Sequence, residues 1–114
     1  MAAASTTNLR SVRQKLLTYL RIGETSTSTS IGGDAEEVND TTRVEDEDYW
    51  LGGQIHITSG ALEGKTSFIR HNHPTNGEMH VYPAFSGTPA SGITYEIYRP
   101  NTWSKEELDE AITA

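Results

Sequence analysis

The chain has 114 residues, with nine basic against sixteen acidic side chains, a net charge of −7 and no cysteine. That length allows a single domain, and the lack of cysteine excludes disulfides and thiolate metal sites. The acidic balance makes nucleic acid an unexpected partner, because phosphate contact needs a basic face. No run of about 18 apolar residues is present, so no membrane-spanning helix is expected. The opening MAAASTTNLR has neither the charged start nor the apolar run of a secretory leader.

Residues 1–22 read as an N-terminal helical arm. Leu9, Val12, Leu16, Tyr19 and Leu20 recur with helical period and predict an apolar stripe over 8–22. Thr6, Thr7 or Asn8 is placed to cap its start, and Gly23 stands where a glycine would end it. Arg10, Arg13, Lys15 and Arg21 put four of the nine basic residues on this one helix. They are suited to meet an acidic partner or the chain's own acidic segment.

Residues 23–48 read as a polar, then acidic, linker. Its first part, GETSTSTSIGG, is low-complexity Ser/Thr/Gly, a linker or a weak edge strand. The second part carries eight acids between Asp34 and Asp48, with Arg43 the only base. Like-charge repulsion is expected to keep it open and to let it order only on assembly. The EDED run lacks the glycine turn and spaced ligands of a calcium loop, and Tyr49 and Trp50 after it are placed to anchor it.

Residues 49–100 hold seven of the ten glycines and all four histidines. Four strands are expected, at 54–58, 65–71, 78–82 and 93–98. Alternation sets Ile55 and Ile57 opposite His56, and sets Met79 and Val81 opposite His80 and Tyr82, with both histidines outward. It splits Phe68 and Ile69 between the two faces, and turns Ile93, Tyr95 and Ile97 inward with Glu96 and Tyr98 outward. Pro74 and Asn76-Gly77 mark a turn, and the punctuation of PAFSGTPASG marks a loop. The fold class expected is mainly β: a small SH3-like antiparallel barrel of about four to five strands, with an N-terminal amphipathic helix and a short C-terminal helix. Residues 101–114 supply that last helix, started by the capping box Ser104-x-x-Glu107 and by Trp103 with Leu108 as a hydrophobic staple. Leu108, Ala111 and Ile112 form its apolar edge.

Catalytic signatures are weak. His71 and His73, two apart, would face the same way in an extended strand, as zinc ligands can. Pro74 and the Asn76-Gly77 turn put His73 in a loop, however, and nothing in the spacing makes His56 and His80 join them. His71-Asn72-His73 lacks the following helix that an HNH nuclease needs. Gly60-x-x-x-Gly64-Lys65-Thr66 is one residue short of a phosphate-binding loop, and the carboxylates crowd a polar segment instead of a dry cleft. Neither an enzyme nor a bound cofactor or metal is expected.

Two stretches carry a family likeness. Ile55 to Lys65, followed by Phe68-Ile69, resembles the strand–glycine–strand motif of KOW-type SH3-like barrels. The wider order is a helix, a Ser/Thr linker, EDEDYWLGG, an I-x-I-T-S-G-x-x-x-G strand and turn, YPAFSGTPASGITYEIYRP, and a closing S-x-E-E-L-x-x-A-I helix. This order resembles a segment of tailed-bacteriophage virion proteins around the head–tail connector, neck and adaptor. The resemblance implies a non-catalytic virion structural protein, assembled in the host cytoplasm and bridging neighbouring subunits as a homo-oligomer. Portal, capsid or tail components would be its partners. A capsid decoration protein and a nucleic-acid-binding small barrel are the alternatives. The residues expected to make protein contacts are Arg10, Arg13, Lys15, Tyr19, Trp50, Tyr82, Tyr98, Trp103, Leu108 and Ile112.

Overall fold

The computed structural model describes residues 6–113. In chain order the elements are α1 (Thr6–Tyr19), β1 (Gly23–Thr27), β2 (Glu37–Asn39), β3 (Gln54–Ile57), β4 (Thr66–His73), β5 (Glu78–Tyr82), β6 (Thr94–Tyr98) and α2 (Lys105–Thr113). The strands make one antiparallel sheet in the order β1-β6-β3-β4-β5-β2. The four strands expected from alternation are β3 to β6, and of the pair that splits the faces of β4 it is Ile69 that lies inward. Residues 1–5 and Ala114, at the ends of the expected helical arm and closing helix, lie outside the described residues. So do the side chains expected to cap α1, those of Thr6, Thr7 and Asn8.

The sheet has six strands where four to five were expected, and the two additional ones come from the expected linker. β1 pairs with β6 from Gly23↔Tyr98 to Thr27↔Thr94. This is a backbone ladder, which Ser and Thr serve as well as any residue, so apolar periodicity carries no trace of it. Gly23 is required by that pairing rather than by the helix end, since a Cβ there would lie 2.0 Å from the Ile97 carbonyl oxygen. Arg21, at φ 56°, takes the left-handed position after α1 instead. β2 is held by burial of Val38 and by pairing with β5.

The ladder does not close into a barrel. β1 and β2 are the two edges, and the backbone joins the edge segments at the Ser30↔Asn39 bridge and through a 3.0 Å bond from the Thr29 amide to the Asn39 carbonyl. Side chains stitch the rest of the seam. Ser26 donates to Asp40 at 2.7 Å, Thr29 and Thr41 share a 3.0 Å hydroxyl bond, and Arg43 reaches Glu24 at 2.8 Å. Asp40 is fully buried and also accepts from the Tyr95 hydroxyl and from the Thr42 amide and hydroxyl. Burial alone would raise the Asp40 carboxyl; its hydrogen bonds from Thr42, Tyr95 and Ser26 outweigh that and hold it below the usual carboxylate range. Gly77, at φ +62°, lets the Asp40 carbonyl approach where a Cβ would stand 1.7 Å from it.

The inward side of the sheet carries the main core. Trp50, Ile55, Ile57, Ile69, Met79, Val81, Tyr95 and Ile97 belong to it, closed by Val38, Leu62, Phe85 and Ile93. A second, smaller core lies on the outer face of β6, where Leu17, Ile22, Tyr98 and Leu108 meet under the two helices. Here the expected helix face is wrong. α1 packs through Arg13 and Leu17, leaving Val12, Tyr19 and Leu20 exposed. At about 100° per residue, the apolar stripe is turned away from the sheet by roughly a quarter turn.

The reason is the ion pair beneath the helix. Glu96 on β6 is fully buried and Arg13 is 3% exposed. Arg13 donates to both Glu96 oxygens at 2.8 Å and to Asp109 of α2 at 2.9 Å. Gln14 and the Tyr98 hydroxyl also donate to Glu96, at 3.0 and 2.7 Å. Burial alone would raise the Glu96 carboxyl, but bonds from Arg13, Tyr98 and Gln14 outweigh it and hold the group below its usual range. A charge so enclosed dictates which helix residue faces the sheet, and apolar pattern yields to it.

Arg13→Ala should therefore cost about 3–5 kcal/mol in urea unfolding, because it strands a buried carboxylate. The double variant Arg13→Met with Glu96→Leu should recover most of that loss. A loss below about 1 kcal/mol in the single variant would show the pair to be of little consequence.

Candidate functional site

The outer face of the sheet has two halves. Over β6 and β3 it is covered by the helices, and over β4, β5 and β2 it is open. The covered half takes Gln54, His56, Glu96 and Tyr98 out of solvent. Gln54 accepts from the Lys105 amide at 3.0 Å and donates to Glu106 at 3.2 Å, so it joins β3 to the first turn of α2. The expected capping box is present as two reciprocal bonds, Ser104 amide to Glu107 and Glu107 amide to the Ser104 hydroxyl, at 2.9 and 3.1 Å.

His56 was expected outward and exposed; it is outward but buried, sharing a 2.7 Å hydrogen bond with Thr66. Burial pushes its imidazole down to about 4, against the opposing pull of Glu96 and with Lys105 and Arg13 nearby. His56 is thus a neutral structural residue.

Of the ten expected contact residues, four are enclosed within the chain itself: Arg13, Trp50, Tyr98 and Leu108. Tyr98 is covered because α1 and α2 close over β6. Trp50 sits in the main core and donates from its indole to Glu45 at 3.1 Å. Arg10 and Ile112 are half-buried, and Arg10 pairs with Glu63 at 3.4 Å. Lys15, Tyr19, Tyr82 and Trp103 are exposed, Tyr19 by 83% and Tyr82 by 67%. The basic residues of α1 were read as suited to an acidic partner or to the acids of 34–48; within the chain, the described pairs of Arg10 and Arg13 go to Glu63, Glu96 and Asp109.

On the open half, Phe68 and Tyr82 are cross-strand partners and both exposed. Phe68 also borders a shallow cleft with Trp103. Phe68 was not among the expected contact residues; alternation separates it from Ile69 without saying which of the two faces outward.

Farther along the same face, His71, His73 and His80 converge. His71 lies opposite His80, and His73 opposite Glu78, on β4 and β5; Glu37 of β2 lies opposite His80. Ring centroids are 3.9 Å apart for His71 and His73, and 5.6 Å for His73 and His80. A register shift between Ile69 and His71 makes this possible. Phe68 faces out and Ile69 in, so strict alternation would turn His71 inward. The bulge at Arg70 inserts one residue and returns His71 and His73 to the outer face.

Acidic groups close over these rings from the turns at 46–53. Successive bonds from the Tyr49, Leu51 and Gly53 amides to the Asp46, Asp48 and Trp50 carbonyls wind this stretch. Buried Asn72 ties it to β4: its side chain accepts from the Trp50 amide at 2.9 Å and donates to the Asp46 carbonyl at 3.1 Å. Its carbonyl accepts from the Asp48 amide at 3.1 Å. Glu47 Oε1 then stands 3.2 Å from His73 Nδ1 and 3.9 Å from His71 Nε2, and the Asp48 carboxylate accepts from His71 Nδ1.

The cleft between α1 and β1, about 440 Å³, is of another kind. It is lined by Thr25, Thr27, Thr58 and Thr94 with Arg10, Gln14, Ser26 and Tyr95, and among the described residues no histidine or carboxylate borders it. No family model matches the chain, and no curated protein matches it either.

The histidine environment is checkable by titration. In NMR, the His56 imidazole should titrate near pH 4. The unfolded chain takes up that proton near 6.5, so its contribution to stability is full above about 6.5 and is lost as pH falls toward 4. Relative to His56→Gln, the native chain should lose roughly 3 kcal/mol across this window. Parallel stability profiles for the two chains would contradict the assignment.

Proposed function

We propose that the protein is a non-catalytic bridging module that works by holding neighbouring protein subunits. The observation that supports this best is the orientation of α1. Val12 and Tyr19 stand exposed on it with Leu20 beside them, an apolar stripe of helical spacing that the chain's own sheet leaves uncovered. Such stripes are the means by which helices dock into grooves of partners. The exposed Phe68, Tyr82 and Trp103 add a second contact surface of aromatic character.

Within that reading, a virion structural role, as a head–tail connector or neck adaptor of a tailed phage, is our choice. The order of elements quoted above and an acidic chain with exposed apolar helix and sheet surfaces support it. The sheet itself we read as an opened relative of small SH3-like barrels. In support, its two edges come together through Ser30, Asn39 and the side-chain seam.

The test is assembly. Light scattering and native mass spectrometry of the intact chain should find a homo-oligomer, and Val12→Asp with Tyr19→Asp should return it to monomer with an unchanged circular dichroism spectrum. A chain that stays monomeric at high concentration and has no affinity for portal, capsid or tail proteins would sink the proposal. In a particle map, an adaptor occupies a ring at the unique vertex; copies spread over the shell would make it a decoration protein instead.

A further inference from the structure

We propose that Glu47, His71 and His73 form a binding site for a divalent transition-metal cation, with zinc the best fit. The donors are Glu47 Oε1, His71 Nε2 and His73 Nδ1, with separations from Glu47 of 3.9 and 3.2 Å. The group as a whole lies within 4.8 Å. Tetrahedral zinc with bonds of about 2.0–2.1 Å requires donor spacings of about 3.3 Å. The three atoms need only small side-chain adjustment to reach that spacing. Two imidazoles with one carboxylate are a borderline-soft set, which favours zinc over magnesium or calcium.

A second feature distinguishes this group from histidines that are merely near acids. The Asp48 carboxylate accepts from His71 Nδ1. That bond puts the ring proton on Nδ1 and leaves the Nε2 lone pair on the side of Glu47. Carboxylate–histidine–metal relays use the same arrangement to fix ring orientation and raise basicity. Glu47 and Asp48 are adjacent in one turn, and buried Asn72 anchors that turn through side chain and backbone. The turn therefore presents a ligand and an orienting group together.

The surroundings are suitably charged. Asp46, Glu78 and Glu37 lie on the same turn and the neighbouring strands, and Arg70, the nearest base in sequence, is engaged by Glu36 at 3.3 Å. His71 and His73 are half-buried and Glu47 is exposed, so the fourth coordination position opens to solvent. Water would fill it in the free chain. A bound ion would fasten the turn at 46–49 to β4, linking the acidic segment to the sheet at a second point beside Asn72.

The test uses the full chain without an affinity tag. Zinc chloride added at neutral pH should give a one-to-one calorimetric isotherm and raise the Tm, with EDTA reversing both, whereas magnesium chloride should do neither. In NMR, zinc should shift the His71 and His73 imidazole signals and leave those of His56 in place. His73→Ala and Glu47→Gln should lose the response while keeping the metal-free spectrum, and Asp48→Asn should weaken zinc binding about 10-fold or more. Absence of a zinc response in the native chain would overturn the proposal. So would an equal response to magnesium, or zinc-induced shifts confined to other residues.

Discussion

A carboxylate with no access to water organises the covered side of this molecule. Glu96 lies on β6, between β1 and β3, and each of its oxygens is engaged by donors from α1, with a further donor from Tyr98 of its own strand. Ionised groups are buried only where such partners are complete. Arg13 completes them and at the same time reaches Asp109, which Lys105 also contacts at 2.7 Å. One guanidinium thus sets the rotation of α1 over the sheet and the position of α2 beside it. The four-residue apolar cluster of Leu17, Ile22, Tyr98 and Leu108 is too small to define that orientation alone; directional bonds do so.

The same constraint explains what was legible in the sequence. β3 to β6 were readable because each is bounded by glycine or proline and alternates, β4 as far as its bulge at Arg70, and the capping box of α2 was readable because it is entirely local. The rotation of α1 was not. The periodicity of Leu9, Val12, Leu16 and Tyr19 indicates a helix but cannot say that a carboxylate 83 residues from Arg13 will claim a different face. β1 was legible only as one of two readings, a linker or a weak edge strand, because Ser and Thr composition suits both and the strand is made by backbone bonds to β6. The segment 34–48 looked self-repelling because its counter-charges and donors, Arg43, Ser26 and Tyr95, are distributed over three parts of the chain.

The histidine group was half legible. The two-residue spacing of His71 and His73 was plain, and so was the outward position of His80. What could not be read was the bulge at Arg70, which decides the face on which His71 stands, or the winding of 46–53 that brings Glu47 and Asp48 back over β4. Both depend on pairing between distant segments. Asn72, between two histidines, has no notable sequence context, yet it fixes the turn above them.

The seam between β1 and β2 has a bearing on how this protein can meet others. Sheets with free edges commonly recruit an extra strand from a neighbour. Here the edge strands are only five and three residues long, and their ends are turned toward each other and joined by Ser26, Asp40, Thr29, Thr41, Arg43 and Glu24. Strand addition at those joined ends would first have to break the molecule's own fastening. An association of the kind proposed would therefore fall to surfaces that display side chains: the outer side of α1 and the exposed aromatics of β4 and β5. Selectivity then rests on shape and chemistry, and indiscriminate backbone pairing is discouraged.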